Sequence, residues 1–328
     1  MCRRATIIGT GSYVPKKIRL NDFFEKVGSS DKWIQSKLGI KERHLAADNE
    51  ATSDLAANAA LNAIENAGLK PEDIDLIIMA TISPDRKFPS TACFVQYKIK
   101  AFNAAAFDMQ AACSGFVYAM FVAREFIRTG TYDNVLVIGG DIFSKVTDYD
   151  RRDSVFFGDG AGAAVLSHTE EGGFLAYKMA ADGTGRYAVT IPGGGSEMPI
   201  TPEVVEKKLH YWQMDVHAVY KAATTVLPKV IGEVLEMANL TVDDIDWVIP
   251  HQPGKSMLHD IMDKAVLPWD KVVTNMDKYA NTSSGTVPIM LDETHRAGTL
   301  KKGDLVLFVA VGAGLTWSAS VLKWGIDY

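Results

Sequence analysis

The feature that most constrains the fold is a pattern that occurs twice along the chain. Residues 66–80 read NAGLKPEDIDLIIMA, and residues 237–251 read MANLTVDDIDWVIPH, 171 residues further on. In each copy a helix end is followed by a polar turn and then by an apolar run typical of a buried strand. Among the positions that are identical between the copies are Leu69 and Leu240, Asp73 and Asp244, Ile74 and Ile245, and Asp75 and Asp246.

Two further matches follow in the same order. CSGFVYAM at 113–120 pairs with SSGTVPIM at 283–290 at an offset of 170, and RTGTYDNVLVIGG at 128–140 pairs with RAGTLKKGDLVLFVAVG at 296–312, beginning at an offset of 168. Three ordered matches at nearly the same offset indicate an internal duplication. We therefore predict an α/β protein built from two structurally similar halves, residues 1–170 and residues 171–328.

The composition of the 328 residues narrows the class of protein. Hydrophobic residues make up 47% and charged residues 23%, as in ordinary soluble globular proteins. No apolar run reaches the ~18 residues of a membrane span, and the first residues lack the apolar stretch of a signal peptide. The net charge of −6, without a dense basic segment, argues against nucleic-acid binding. We expect a cytoplasmic protein that binds neither membranes nor nucleic acid.

The cysteines point in the same direction. Cys2, Cys93 and Cys113 show no CxxC spacing, which argues for a reducing compartment and against a disulfide framework or a structural zinc site. We therefore expect no metal.

Cys113 lies in the stretch AFDMQAACSGFVYAM, residues 106–120. Residues 105–109 are predicted to form a short buried segment, and the small residues around the cysteine allow a tight bend. Cys113 is then expected at or near a helix N-terminus, where the positive end of the helix dipole favours the nucleophilic thiolate. The alternative is that Cys113 is a small buried hydrophobe. The helix is indicated by apolar residues that recur on one face, Phe116, Met120, Ala123 and Ile127.

The duplication suggests two partners for Cys113. His251 ends the apolar strand of the second copy, at the position equivalent to Ala80, and Asn281 opens the NTSSG segment that corresponds to Cys113. Active groups in α/β folds gather at the carboxyl ends of strands and at helix starts, so a pseudo-twofold axis would bring the three residues together. Alternatively, His251 is a buried structural histidine and Asn281 is a turn or N-cap residue.

With these motifs in place, the chain resembles the thiolase superfamily, and within it β-ketoacyl-acyl-carrier-protein synthase III. The resemblance covers essentially the whole chain and implies the thiolase fold, in which two pseudo-symmetric halves form a layered αβαβα architecture. The ordered motifs that carry it are GTGSYVP (9–15), DKWIQSKLGIKERH (31–44), ATISPDRKFPSTAC (80–93), AACSGF (111–116), FFGDGAGAAVL (156–166), HQPGKSM (251–257) and YANTSSGTVP (279–288).

The resemblance implies an acyltransferase that condenses an acyl-CoA primer with malonyl-acyl-carrier protein, as in the initiation of type II fatty-acid synthesis. Cys113 would hold the acyl group as a thioester, and His251 and Asn281 would donate hydrogen bonds to the enolate-like oxyanion left by decarboxylation. A decarboxylation needs no strong base, which fits a histidine and an asparagine. The expected partners are acyl-CoA and the acyl carrier protein, and no cofactor is expected beyond the CoA thioester substrate.

The resemblance also implies substrate contacts. Trp33 would stack on the adenine of coenzyme A with Arg151 on its other face, and Lys37 would reach a phosphate where the family usually has an arginine. The positions that would bind the rest of the substrate and the carrier protein are Val216 and His217 towards pantetheine, Ala313 at the oxyanion hole and acyl pocket, and Lys221 and Lys255 for carrier docking.

Several residues depart from the family pattern. Gly254 and Ser256 in HQPGKS replace an asparagine and an arginine, and Ala313 replaces a glycine. These departures leave open a specialised condensing enzyme of a biotin-precursor or secondary-metabolite pathway. FGDGAGA at 157–163 lacks the Lys-Ser/Thr pair of a phosphate loop and the GxGxxG spacing, so we interpret it as close backbone packing beside the site.

Two other functions use the same scaffold. One is an acyltransferase that passes the acyl group to an oxygen or nitrogen acceptor, and the other is a non-catalytic subunit of a heteromeric synthase. The intact histidine and asparagine favour condensation over the first, and the retained Cys113 argues against the second.

The resemblance finally implies a homodimer. Phe88, next to Pro89 and between an apolar strand and a helix, would cross the twofold interface and close the acyl pocket of the partner. The alternative is that Phe88 packs within its own subunit.

Overall fold

The computed structural model describes residues 3–327, so Cys2 lies outside the described residues. Its strands are β1 Arg4–Tyr13, β2 Lys17–Leu20, β3 Glu42–Leu45, β4 Leu76–Ala80, β5 Ala105–Met109, β6 Asn134–Asp141, β7 Gly160–Thr169, β8 Gly173–Ala181, β9 Val189–Thr190, β10 Gln213–Met214, β11 Trp247–Pro250, β12 Leu305–Gly312 and β13 Thr316–Lys323. Its α-helices are α1 Asp31–Leu38, α2 Thr52–Asn66, α3 Thr91–Ile99, α4 Gly115–Arg128, α5 Pro202–Glu206, α6 Val216–Ala238, α7 Lys255–Lys264, α8 Met276–Tyr279 and α9 Thr286–Arg296.

Four strands of the five-stranded first sheet repeat the topology of the four-stranded second sheet, and β5 has no counterpart there. The first has the strand order β1-β7-β6-β4-β5, and the second has the order β8-β13-β12-β11 when read in the matching direction. In the first sheet β4 pairs with β6 in parallel, and β6 pairs with β7 antiparallel. In the second sheet β11 pairs with β12 in parallel, and β12 pairs with β13 antiparallel. The duplication seen in the sequence is therefore a duplication of structure.

The structural offset between equivalent elements is 171 residues. Strand β6 begins at Asn134 and β12 at Leu305, while α4 begins at Gly115 and α9 at Thr286. The sequence match that paired Cys113 with Ser283 was therefore wrong by one residue, and Cys113 is equivalent to Ser284. The Ser-Gly identity shifted the alignment, whereas the start of each helix sets the true register.

The elements stack in five layers, helix–sheet–helix–sheet–helix. Helices α2 and α3 cover the outer face of the first sheet, and α6 and α7 cover the outer face of the second. Helices α4 and α9 lie between the sheets, where Phe116, Met120 and Met290 pack against Ile78 and Phe308. The predicted apolar face of α4 is fully buried, which confirms that prediction, and the architecture confirms the predicted fold class.

The layered arrangement explains why strands β4 and β12 read as continuous apolar runs. Helices cover both faces of each sheet, so alternate side chains of β4 enter two different cores. Ile77 and Met79 pack towards α2 and α3, while Leu76 and Ile78 pack towards the central helices. Beyond the carboxyl end of such a strand polar side chains follow, and His251 follows β11 directly.

Strand β5 differs from the prediction that residues 105–109 are buried. It is the outermost strand of the first sheet, with Ala105 exposed and Ala106–Met109 only half-buried. That prediction was wrong because an apolar strand at a sheet edge has the same composition as a central one. The consequence is an edge with unpaired backbone groups and partly exposed apolar side chains.

Candidate active site

Cys113 lies in a short 3-10 turn, Ala112–Ser114, immediately before α4 begins at Gly115. The preceding residue, Ala112, has a φ of 48°, so the chain bends sharply just before the thiol. The end of β12 packs directly on this bend. A Cβ atom at Gly312 would come within 2.9 Å of the backbone nitrogens of Cys113 and Ser114, so only glycine allows this approach.

The protonation state of Cys113 differs from the prediction. The helix start is where it was expected, but burial raises the pKa of the thiol to about 12, and the nearby carboxylate of Asp141 acts in the same direction. The resting group is therefore a thiol rather than a thiolate. Cys113 Sγ lies 3.5 Å from Ser283 Oγ, and a hydrogen bond from that hydroxyl to the ionised sulfur acts against this rise.

His251 follows the end of β11, and its backbone N–H donates to Val309 O at 2.8 Å. The side chain is only 4% exposed. Burial lowers its pKa to about 3, so the imidazole is neutral at physiological pH. Its Nδ1 atom is buried and has no hydrogen-bond partner among residues 3–327. A neutral imidazole in this position carries one N–H and one free lone pair.

Asn281 is held on both sides by backbone hydrogen bonds. Its N–H donates to Phe156 O at 3.1 Å, and its carbonyl accepts from the N–H of Gly158 at 3.0 Å. The side-chain Oδ1 accepts from the N–H of Ser283 at 2.8 Å, which leaves the Nδ2 amide as the donor. Asn281 therefore makes the hydrogen bond of a turn residue through Oδ1, and its Nδ2 amide is left as the donor.

The FGDGAGA segment is close backbone packing beside this site, as predicted. A Cβ atom at Gly158 would lie 2.5 Å from Tyr279 O, and one at Gly162 would lie 2.5 Å from the backbone nitrogen of Ile289. The glycines therefore let the β7 segment approach the chain on either side of Asn281.

Cys113, His251 and Asn281 line one cavity of about 490 Å³, so residues from both halves meet in it. Val216 and Ala313 line it as well. The other residues predicted to contact substrate, partner or carrier protein are described but do not line this cavity: Trp33, Lys37, Phe88, Arg151, His217, Lys221 and Lys255.

Aromatic side chains form part of the cavity wall, a feature that the sequence did not indicate. Phe143 and Phe157 stack with ring centroids 4.0 Å apart, and Trp212 meets Phe157 edge-on at 4.9 Å. The indole N–H of Trp212 donates to Thr147 Oγ1 at 2.8 Å, which fixes the ring. These residues come from distant parts of the chain, so no local pattern indicates that they meet.

A polar network behind the site was also missed. Gln252 Oε1 accepts from the backbone N–H groups of Asn275 and Met276, at 3.0 Å each. Asn275 in turn donates to Glu293 at 2.8 Å, and Glu293 accepts from the hydroxyl of Tyr279 at 2.7 Å. The network ties the residue after His251 to the loop that leads to Asn281. The sequence showed only a glutamine directly after His251, and its burial is known from the structure.

Both arginines near Trp33 make contacts in the structure. Arg151 donates to Asp153 and to Trp212 O, and the guanidinium of Arg152 lies 5.4 Å from the Trp33 ring centroid. The placement of Arg151 against the adenine of coenzyme A stays a prediction. Phe156 packs in the same apolar cluster as Trp33 and also lines the cavity.

The departures in HQPGKS have local structural explanations. Gly254 has a φ of 152°, a conformation that favours glycine. Ser256 Oγ donates to Lys37 O at 3.1 Å and so joins the start of α7 to the end of α1. Lys255 between them is exposed.

A duplicated α/β unit with a cysteine at a central helix start, opposite a histidine and an asparagine, defines a thiolase-fold condensing enzyme. Two family models match the chain: the 3-oxoacyl-[acyl-carrier-protein] synthase III model over residues 107–183 and its C-terminal model over residues 235–324. The chain belongs to the 3-oxoacyl-[acyl-carrier-protein] synthase III family, a family of acyltransferase-class condensing enzymes, which confirms the resemblance.

The chain is similar to relatives of this family over its whole length. The chain is 51% identical to the β-ketoacyl-[acyl-carrier-protein] synthase III of Caldanaerobacter subterraneus subsp. tengcongensis and 49% identical to that of Clostridioides difficile, with 99% of each chain covered in both cases. It is also similar to the crystal structure of 3-oxoacyl-[acyl-carrier-protein] synthase III from Aquifex aeolicus VF5, with a TM-score of 0.90 at 40% identity. That match covers 98% of this chain and 100% of the other.

Within residues 3–327 no helix is both long enough and apolar enough to cross a membrane.

Proposed function

We propose that this protein condenses an acyl-CoA primer with malonyl-acyl-carrier protein to give a β-ketoacyl-carrier protein, coenzyme A and carbon dioxide. The observation that carries the proposal is the shared cavity of Cys113, His251 and Asn281, to which both halves of the chain contribute. The names of the relatives support the choice of carrier protein as partner.

In the first half-reaction Cys113 Sγ attacks the thioester carbonyl of the primer. A carbon–sulfur bond forms to Cys113, the bond to the CoA sulfur breaks, and the thiol proton leaves with coenzyme A. Because burial keeps Cys113 protonated at rest, sulfur and proton must separate during the transfer. The start of α4 supplies free backbone N–H groups near the acyl oxygen.

In the second half-reaction the malonyl thioester loses carbon dioxide. The electron pair of the broken carbon–carbon bond becomes an enolate, whose oxygen accepts hydrogen bonds from Asn281 Nδ2 and from His251. We place the single N–H of His251 on Nε2, because Nδ1 has no acceptor among the described residues. The enolate carbon then attacks the acyl carbonyl, the bond to Cys113 Sγ breaks, and the expelled thiolate takes up a proton from solvent to restore the thiol.

A neutral histidine suits this step. Burial holds the pKa of His251 at about 3, so the ring donates a hydrogen bond without giving up a proton. Acyl transfer to an oxygen or nitrogen acceptor would not use two donors aimed at an enolate, so the pair favours condensation. The departures at Gly254 and Ser256 have structural explanations, and none of them favours a specialised pathway.

The nucleotide of coenzyme A is proposed to bind at Trp33, with Arg151 on the other face of the adenine and Arg152 beside the Trp33 ring. The carrier protein is proposed to dock on the neighbouring helices α1, α6 and α7. These helices carry Lys37, Lys221 and Lys255 as exposed cations near the cavity. Val216, at the start of α6, lines the cavity that contains Cys113.

The proposal is tested by mass spectrometry of the intact protein after incubation with acyl-CoA, followed by malonyl-carrier protein with detection of carbon dioxide. An acyl adduct on Cys113 and carbon dioxide release from the acylated protein are expected. An adduct without decarboxylation contradicts condensation. An acyl-pantetheine substrate provides a second arm, in which slower adduct formation supports the nucleotide contacts and an equal rate contradicts them.

We further propose a homodimer formed through the edge of the first sheet. Phe88 is 84% exposed, so it does not pack within its own subunit. Strand β5 is unpaired at the same edge of the sheet, with Phe107 and Met109 only half-buried. Burial of these groups against a second copy would cover the edge and place Phe88 at the acyl pocket of the partner.

Replacing Phe88 with alanine is expected to extend the range of accepted primers towards longer chains, because it removes one wall of the partner's pocket and leaves Cys113 unchanged. The measurement is relative turnover over an acyl-CoA length series, with light scattering to follow assembly. Met237→Ala, which shortens another exposed apolar side chain on α6, is the matched control. An active monomer or an unchanged length profile would contradict the proposal.

A further inference from the structure

Ser283 is the residue whose side chain contacts the sulfur of Cys113. Its hydroxyl lies 3.5 Å from Cys113 Sγ, and the residue is fully buried. Ser283 also lines the cavity. The contact joins the two halves of the chain at the reacting atom, although the two residues are 170 positions apart.

The neighbouring hydroxyls are engaged elsewhere. Thr282 Oγ1 lies 3.3 Å from Thr286 Oγ1, and Ser284 Oγ donates to Ala80 O at 2.9 Å and to Asp141 at 2.8 Å. Of these three consecutive residues, Ser283 alone directs its hydroxyl at Cys113. Its backbone N–H meanwhile donates to Asn281 Oδ1, so one residue contacts the sulfur and fixes the amide.

The backbone at Ser283 is unusual. Its φ is 54°, in the left-handed region that side chains other than glycine seldom adopt. Ala112, the residue at the equivalent position of the first half, has a φ of 48°. The two bent turns pack against each other, which directs the Ser283 side chain across the boundary towards Cys113. Because this conformation costs free energy, its presence beside the reacting sulfur indicates a functional role for Ser283.

We propose that Ser283 is a catalytic residue whose hydroxyl donates a hydrogen bond to the Cys113 sulfur whenever that sulfur carries negative charge. This happens as the thiol proton departs during acylation and again when the sulfur is expelled after condensation. Serine keeps its own proton throughout. The proposal rests on the proposed function for these steps, but the stabilised thiolate itself can be measured without any substrate.

The physical reason is the burial of the thiol. Two groups favour a thiolate at Cys113 Sγ, first the Ser283 hydroxyl and then the backbone N–H of Cys113. The neutral His251 adds no positive charge, and the carboxylate of Asp141 opposes the thiolate. A hydrogen bond to a charged acceptor is about twice as strong as one between neutral groups, so a single donor has a large effect on the ionisation of the thiol.

The test is the pH dependence of Cys113 alkylation by iodoacetamide, followed by mass spectrometry at the level of the Cys113 peptide. In Ser283→Ala the rate at pH 8 is expected to fall roughly tenfold, and its rise with pH is expected to move to higher pH. The variant keeps the backbone N–H that holds Asn281. Carbon dioxide release from variant protein that has already been acylated should therefore stay within about threefold of the parent rate.

Ser114→Ala is the matched control, because Ser114 is also buried beside the thiol but its hydroxyl donates to Thr316 O at 3.1 Å. It should alkylate like the parent protein. Ser283→Gly is a second variant, since glycine adopts the observed φ freely and removes the same hydroxyl. An unchanged pH profile in both Ser283 variants would overturn the proposal. So would a fall in carbon dioxide release from the acylated variants that equals the fall in alkylation, because that result indicates a structural role.

Discussion

Cys113→Ala is expected to abolish both acyl-adduct formation and condensation. The alanine side chain has no nucleophile, and the cavity of about 490 Å³ contains no second thiol among its described lining residues. The fall in turnover should reach the detection limit, because a missing covalent step is not replaced by the remaining donors. The measurement is intact mass after incubation with acyl-CoA, together with mass spectrometry of the β-ketoacyl-carrier protein formed under multiple turnover.

Cys93→Ala is the matched control for loss of a thiol. Cys93 is exposed on α3, and its sulfur lies 3.1 Å from Ser90 Oγ, outside the cavity. This variant should form the adduct at the parent rate. Full turnover by Cys113→Ala, or loss of the adduct in Cys93→Ala alone, would show that the nucleophile has been assigned to the wrong residue.

The parts of the fold that could be predicted are those in which the pattern of apolar residues indicates a buried surface. Strands β4 and β11 are apolar throughout because helices cover both faces, so their repeat was visible in the sequence at the correct offset. The face of α4 was visible for the same reason, since burial imposes the helical period on apolar residues.

The errors arose where a local sequence pattern does not determine the position of a residue in the fold. The match at Cys113 followed a Ser-Gly identity, while the structural register follows the helix start at Gly115. The apolar sequence of residues 105–109 predicts a buried strand, because it does not show that β5 lies at the edge of the sheet.

The protonation of the site could not be predicted from local sequence. A helix start lowers the pKa of a thiol, but the pKa of Cys113 is set by how completely the surrounding layers exclude water. The same applies to His251, whose low pKa has burial as its cause. Exclusion of water is a property of the assembled halves, so it appears only when β12 and α9 are in place.

Removing either proposed oxyanion donor is expected to separate the two half-reactions. His251→Ala and Asn281→Ala should still form the acyl adduct on Cys113, because the sulfur and the start of α4 are unchanged. Decarboxylation by the acylated protein should fall by about 10²–10³ in each variant, the usual effect of losing one oxyanion-hole donor. Adduct formation is followed by mass spectrometry, and decarboxylation by carbon dioxide release in a single turnover.

Asn281→Asp separates the loss of the donor from the loss of packing. Aspartate keeps an oxygen for the N–H of Ser283, which now donates to Asn281 Oδ1 at 2.8 Å, but it replaces the amide donor with negative charge. Decarboxylation should therefore fall at least as far as in Asn281→Ala. A near-normal rate in Asn281→Asp would mean that the amide does not face the enolate oxygen.

The pH dependence gives a test of His251 that needs no substitution. Because burial lowers the pKa of His251 to about 3, the ring is neutral at every pH well above that value. Decarboxylation by acylated parent protein should therefore show no step near pH 6.5, where an exposed histidine titrates. Protonation would add a second N–H and a positive charge, which would stabilise the enolate further. A rate that rises as the pH falls through 6.5 would thus show that His251 becomes charged, and that a cation rather than a neutral donor holds the oxyanion.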